Sequence, residues 1–327
     1  MRDMLLSRLV GTLAAILVCV APCSVAQAAK PSGGACTSAA DFPAFAYRVA
    51  SSRTSTIYIA DATGQCSRAL TSGQVPKFSY PVDGIGNKGR VVWLQGQSIL
   101  AADFTVGSGN TLSGISVRTL LTTAGCCALD LSKDGRTVYF SLSDTTLAKM
   151  DVAGTGGPVT VFTSSSPTWF YQIASLNADG TRLFATKTGF GASAGASQLV
   201  RIDLDSAPVQ ETVLRASVPQ AGYGASPFWP SADPNSNRIA FHEYVVNSDN
   251  CTPLTVTDYD GNELDTAGFS VERYGRDPTW VGGRIVMQRR NPMNGSGACS
   301  STTSLSQVVL ESNEESVLLT GHNPDGR

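Results

Sequence analysis

Leu131-Ser132-Lys133-Asp134-Gly135-Arg136-Thr137-Val138-Tyr139-Phe140 reads as a tight turn, one basic residue and an apolar, β-prone run. Asp-Gly tolerates the positive φ that such turns require, and the run that follows suits a strand. The unit returns as Gly89-Arg90-Val91-Val92-Trp93, Gly180-Thr181-Arg182-Leu183-Phe184, Asn237-Arg238-Ile239-Ala240-Phe241 and Gly283-Arg284-Ile285-Val286-Met287, with a fainter copy at Tyr47-Arg48-Val49. The arginines at 90, 136, 182, 238 and 284 stand 46, 46, 56 and 46 residues apart. Four strands with their turns occupy about 40–45 residues, the size of one propeller blade.

The best-marked unit divides into four such strands: Ala128–Leu131, Thr137–Leu142, Thr146–Val152 and Pro158–Thr163. The repeat therefore predicts an all-β chain, a six-bladed β-propeller of four-stranded antiparallel blades over 42–327. An N-terminal arm over 29–41 precedes it. Val317–Thr320 reads as the last blade's outer strand, while the first blade lacks a clear inner one. Either the arm (32–44) supplies it or that blade stays one strand short.

Residues 1–28 read as a signal peptide. Arg2 and Arg8 are followed by the apolar Leu9–Val20 and by Ala26-Gln27-Ala28, a small-x-small cleavage pattern. The apolar stretch is shorter than the roughly 20 residues a bilayer span needs. Losing two Arg and one Asp with this segment moves the net charge from −2 to −3. That balance offers no electrostatic footprint for nucleic acid or an anionic membrane. The expectation is an exported monomer, periplasmic or secreted, with no membrane span.

Pro76-Lys77-Phe78, Pro227-Phe228-Trp229 and Pro278-Thr279-Trp280 lead into these turns, and Leu131 to Arg136 is the fullest copy. This Pro-x-aromatic, Asp-Gly-Arg, apolar-strand pattern resembles the WD40-like repeat of TolB-like β-propellers, from Phe42 onward. The resemblance implies a scaffold that binds a protein, or a glycan, without catalysis. The chain departs from TolB in leaving no length for the α/β domain that precedes the propeller in that family.

The connections expected on one propeller face are long and aromatic, and long loops on a rigid scaffold commonly carry binding. Trp169, Tyr171, Tyr223, Arg273, Tyr274 and Arg276 are the residues on that face with the chemistry of interface anchors. The competing reading has these aromatics cover the ends of the inter-blade core.

Beyond residue 28 the cysteines are Cys36, Cys66, Cys126, Cys127, Cys251 and Cys299, and an even number in an exported chain favours disulfides. Cys36 is expected to pair with Cys66. Cys251 is expected to pair with Cys299 across neighbouring loops, and Cys126–Cys127 to form either a vicinal ring or a thiol pair.

No catalytic residue, cofactor or metal ligand is assigned. Gly191-Ala192-Ser193-Ala194-Gly195 spells G-x-S-x-G, but between two strands rather than at a strand-to-helix elbow. Asp83, Asp134, Asp179 and Asp233 fall in or beside turns, where turn chemistry accounts for them. His242 is expected in a hydrogen-bonded structural role and His322 in an exposed tail. The alternative to a scaffold is a propeller lyase, lactonase or glycoside hydrolase with acidic chemistry in the central channel.

Overall fold

Short apolar runs bounded by Gly, Asp and Asn turns become strands, and every strand pair among the described residues is antiparallel. The computed structural model describes residue 36 and residues 40–50, 55–74, 76–122, 128–166, 168–189, 196–217, 225–245, 254–264, 275–292, 299–310, 314–320 and 322–326. The leader lies outside the described residues.

The first sheet holds β1 (Phe45–Ala50), β2 (Ser55–Ala60) and β3 (Ser67–Ser72). The second holds β4 (Lys77–Ser79), β5 (Lys88–Gln95), β6 (Ser98–Val106) and β7 (Leu112–Leu121). The third holds β8 (Leu129–Leu131), β9 (Thr137–Ser143), β10 (Thr146–Asp151) and β11 (Val159–Thr163). β12 (Trp169–Leu176), β13 (Arg182–Gly189), β14 (Ser197–Asp203) and β15 (Gln210–Ala216) make the fourth. The fifth has β16 (Ala225–Ala232), β17 (Arg238–Val245) and β18 (Leu254–Asp258). The sixth has β19 (Gly275–Val281), β20 (Arg284–Pro292), β21 (Cys299–Val309) and β22 (Glu314–Thr320), after which comes β23 (His322–Gly326).

One expectation needs correction. The arm does not complete the first sheet: β23 does, pairing antiparallel with β1 in the order β23-β1-β2-β3. His322 therefore lies in a strand rather than a loose tail. In the fifth sheet three strands lie among the described residues, and residues 265–274, where a fourth would run, lie outside them. After β18 there is an isolated bridge, Thr257 to Glu263, and the Leu264 amide donates to the Val256 carbonyl at 3.2 Å.

The repeated apolar run is the second strand of each sheet, and its alternate side chains feed different cores. Val91 and Trp93 join the core shared with the first sheet, and Val92 the core shared with the third. Val138 and Phe140 face the second sheet while Tyr139 faces the fourth. Leu183 and Ala185 are parted from Phe184, and Ile239 and Phe241 from Ala240, in the same way. Ile285 and Met287 pack with the fifth sheet, whereas Val286 packs with Phe45 and Tyr47 of the first. Among the described residues, six sheets thus share six cores, one more than an open stack would have. The initial strands agree, for β23, β4, β8, β12, β16 and β19 touch one another in an unbroken cycle.

Each initial strand pairs on one side only, so its other backbone groups need partners outside the sheet. Neighbouring sheets supply them. The Ser79 hydroxyl donates to the Lys133 carbonyl at 2.6 Å, and the Leu176 amide donates to the buried Asp130 carboxylate at 2.5 Å. The Ala232 amide donates to Ser175 Oγ, and Trp280 Nε1 to the Ser231 carbonyl, both at 2.9 Å.

The repeat arginines work at the same joints. Arg90 bonds the Gly135 carbonyl and Asp103, and Arg136 bonds Asp83. Arg182 lies 5.7 Å from the Tyr259 ring centroid and Arg238 lies 4.7 Å from that of Trp280. Burial alone would raise the Asp103 carboxyl, but hydrogen bonds from Arg90 and Arg118 outweigh it and hold the group below its ordinary range.

The Cys36–Cys66 disulfide is present, with 4.5 Å between Cα atoms, and it ties the arm to the first sheet. The Cys36 carbonyl also accepts from Asn110 Nδ2 at 2.7 Å.

Two outcomes test the closure. Truncation after Thr320 exposes the inner edge of β1 and should lower Tm by more than about 5 °C in thermal circular dichroism, or abolish the cooperative transition. An unchanged Tm would refute closure by β23. Tyr47 lies in the closing core, and burial pushes its hydroxyl up to about 12. The unfolded chain ionises this group near pH 10, so the stability it contributes is whole below pH 10 and is lost as pH climbs toward 12. Tyr47→Phe should flatten the fall in urea-unfolding free energy over that interval.

Candidate functional site

Trp169 and Tyr171 are not in a loop. They open β12, where Tyr171 pairs with Lys187 of β13 and Trp169 with Gly189. Tyr171 is fully buried in the core between the third and fourth sheets, edge-on to Phe162, so it is no surface anchor. Its aromatic body fills that core and its hydroxyl donates to Glu211, whose other carboxylate oxygen holds the Lys187 ammonium. Burial, then the hydrogen bond to Glu211 and its charge, push the Tyr171 hydroxyl well above its ordinary value.

Trp169 stands half-buried at the end of this network, with Lys187 Nζ 5.4 Å from its ring centroid. The Lys187 side chain is only 7% exposed, so cation–π attraction acts at a largely desolvated site. The indole is thereby backed on one side by a chain of three groups: Lys187, Glu211 and Tyr171.

Tyr223, Arg273 and Tyr274 lie outside the described residues, as do Cys126, Cys127 and Cys251. Arg276 falls in β19, opposite Gln288, rather than in a loop. Cys299 begins β21 opposite Pro292, so the connection expected over Asn291–Ser304 is shorter than the sequence suggested. His242 is fully buried in β17 and meets the Trp229 ring edge-on at 5.7 Å.

At the opposite end of β12, a cavity of about 440 Å³ opens among the turns of the second, third and fourth sheets. Tyr80, Pro81, Lys133, Asp134, Leu176 and Asp179 are among its lining residues. Asp134 Oδ1 accepts from the Ser132 hydroxyl at 2.6 Å and from the Arg136 amide at 3.0 Å. Asp179 Oδ1 accepts from the Thr181 hydroxyl at 2.6 Å and its amide at 3.0 Å. For Asp134 these bonds outweigh burial, and for Asp179 the Thr181 bonds lead, so both carboxyls sit below their ordinary range. Asp233 is buried and ion-paired with Arg238 at 2.7 Å.

The turn roles expected of these acids are present, but the cavity was not foreseen. Its trace in the sequence is the recurrence of Asp-Gly at matching places in two neighbouring repeats, 134–135 and 179–180.

Among the described residues no three His, Cys, Asp or Glu side chains gather as metal ligands, and no helix is long and apolar enough to cross a membrane. No protein-family model and no curated protein matches the chain. Solved structures do resemble it. TolB from Acinetobacter baumannii is similar over 87% of this chain and 67% of that one, at 14% identity and a TM-score of 0.56. A TolB of Agrobacterium tumefaciens is similar over 84% of this chain and 94% of that one, at 13% identity and a TM-score of 0.52. At such identities the likeness shows the fold, which is that of a TolB-like propeller.

Proposed function

We propose that this chain is an exported six-bladed TolB-like propeller serving as a non-catalytic scaffold, which takes a protein partner, or a glycan, at the end of the sheets where Trp169 stands. The Trp169–Lys187–Glu211–Tyr171 chain carries this reading. It presents a partly exposed indole on a rigid inner strand, so little side-chain entropy is lost when a partner covers it. Trp is also enriched among the residues that dominate interfaces. Export rests on the leader pattern of residues 1–28.

The fates of the acidic residues favour a scaffold over acid-based catalysis. Asp83 pairs with Arg136, Asp103 with Arg90 and Arg118, and Asp233 with Arg238. Asp134, Asp179 and Asp258 accept hydrogen bonds within their own turns.

Crosslinked capture from extracts of the exporting host tests the proposal. Trp169→Ala should abolish a partner band that survives Val159→Ala, a control on the outer strand β11, where Val159 is 57% exposed. Equal capture by both variants would remove Trp169 from the interface.

A further inference from the structure

We propose that the seam between the first and second sheets, at the end where β1 leads into β2, is a site for a carboxylate borne on an acidic peptide side chain. Trp169 belongs to the fourth sheet, and neither site needs the other.

Two hydrogen-bond donors are buried at this seam without acceptors. Trp93 is 1% exposed, and its Nε1 has no partner. Arg48 is half-buried, and its buried Nε has no partner either. No described carboxylate pairs with this guanidinium. An unmatched buried donor is costly, the more so when it carries charge. Elsewhere the fold meets such groups. Trp280, equally buried, donates its indole N–H to the Ser231 carbonyl at 2.9 Å. Arg90, Arg136, Arg182 and Arg238 pair with carboxylates, and Arg284 Nη1 donates to Gln307 Oε1 at 3.2 Å. Among the described residues, the Tyr47-Arg48-Val49 copy is the one whose arginine lacks an acceptor.

Strand pairing places both donors in one seam. Arg48 lies opposite Ile57, and cross-strand partners share a face of the sheet. That face carries Ala46 and Ile57 into the core they share with Trp93. Ile57 Cδ1 and Trp93 Nε1 stand 2.6 Å and 2.9 Å from the point that a Cβ on residue 73 would occupy. Glycine at 73 therefore keeps side-chain atoms away from the indole nitrogen.

The acids of these two sheets have other engagements. Asp61 accepts from the Thr63 hydroxyl at 2.7 Å and from the Cys66 amide at 2.9 Å. Asp103 takes Arg90 and Arg118, and Asp83 takes Arg136. A carboxylate from outside matches what is left open. It accepts at two coplanar oxygens, one for the guanidinium and one for the indole, and charge-assisted bonds of this kind are the strong ones. A tetrahedral oxyanion would bring further oxygens against Ile57, and a sugar acid its ring hydroxyls, where no donor meets them. The methylenes of a glutamate side chain suit that apolar surface.

Proton–nitrogen correlation NMR of the folded chain tests the site with N-acetyl-glutamate amide as the probe. The chain has four tryptophans, and Trp93→Phe identifies the Trp93 indole signal. The probe should move that signal saturably and leave that of Trp280, whose N–H is already bonded, in place. N-acetyl-glutamine amide, the neutral isostere, should move neither. Arg48→Met should weaken binding about tenfold or more, with no fall in Tm, since the charge it removes has no described partner. Trp169→Ala should leave the titration unaltered, which separates this site from the interface proposed above. A Trp93 signal that ignores glutamate, answers glutamine equally or responds as well in Arg48→Met would overturn the proposal. So would a lower Tm for Arg48→Met, and a stronger response to glucuronate or inorganic phosphate would overturn the assignment to a peptide side chain.

Discussion

The second strand of every sheet is apolar on both faces, and that constraint organises the rest of the molecule. A sheet with Val91 and Trp93 on one side and Val92 on the other cannot turn either broad face to water without losing on the order of 25 cal/mol for each Å² of apolar area exposed. Every sheet must be covered twice. An open row leaves two terminal faces bare, and a ring leaves none. The core joining Phe45 and Tyr47 to Val281, Val286 and Leu305 is the contact a row would lack. β23 reinforces the same joint by bringing the end of the described chain into the sheet of its beginning.

Ring packing then raises a second problem at the axis. The inner strands carry backbone groups that no further strand can reach, and an orphaned buried amide costs roughly 1–3 kcal/mol. The chain answers with small polar side chains at adjoining positions. Asp130 and Ser175 accept from the next sheet's backbone, Ser79 donates to it, and Trp280 closes the last of these joints with its indole N–H. The arginine register belongs to the same solution, since Arg90, Arg182 and Arg238 each reach from one sheet to the next. What first appears as a sequence period is thus a period of joints between sheets.

This explains what the sequence disclosed and what it hid. The second strands were legible because burial on both faces demands an uninterrupted apolar run after a Gly- or Asn-rich turn. Inner strands pair on one edge only and carry a weaker pattern, so Trp169 and Tyr171 read as loop aromatics. The structure gives Tyr171 to the core instead, because Glu211 of β15 satisfies its hydroxyl from inside the seam. β23 was beyond recognition by periodicity. His322-Asn323-Pro324-Asp325-Gly326 has no apolar residue, and only the open edge of β1 makes a strand of it. The cavity was hidden for another reason. It belongs to three turns about 45 residues apart, each of which reads alone as ordinary turn chemistry.

The two ends of the ring consequently differ in what they can be asked to do. At the turn end, Arg90 on the Gly135 carbonyl, Arg136 on Asp83 and the Asp83 amide on the Asp134 carbonyl are struts between the second and third sheets. Substitution there is coupled to stability, and any ligand must accept a surface already shaped by the fold. At the Trp169 end, the Lys187–Glu211–Tyr171 chain lies beneath the indole and leaves part of its ring exposed. An indole supported from below can be covered from above without rearranging the core. A ring fixed by its shared cores and braced at its turns can therefore vary the opposite end while keeping its frame.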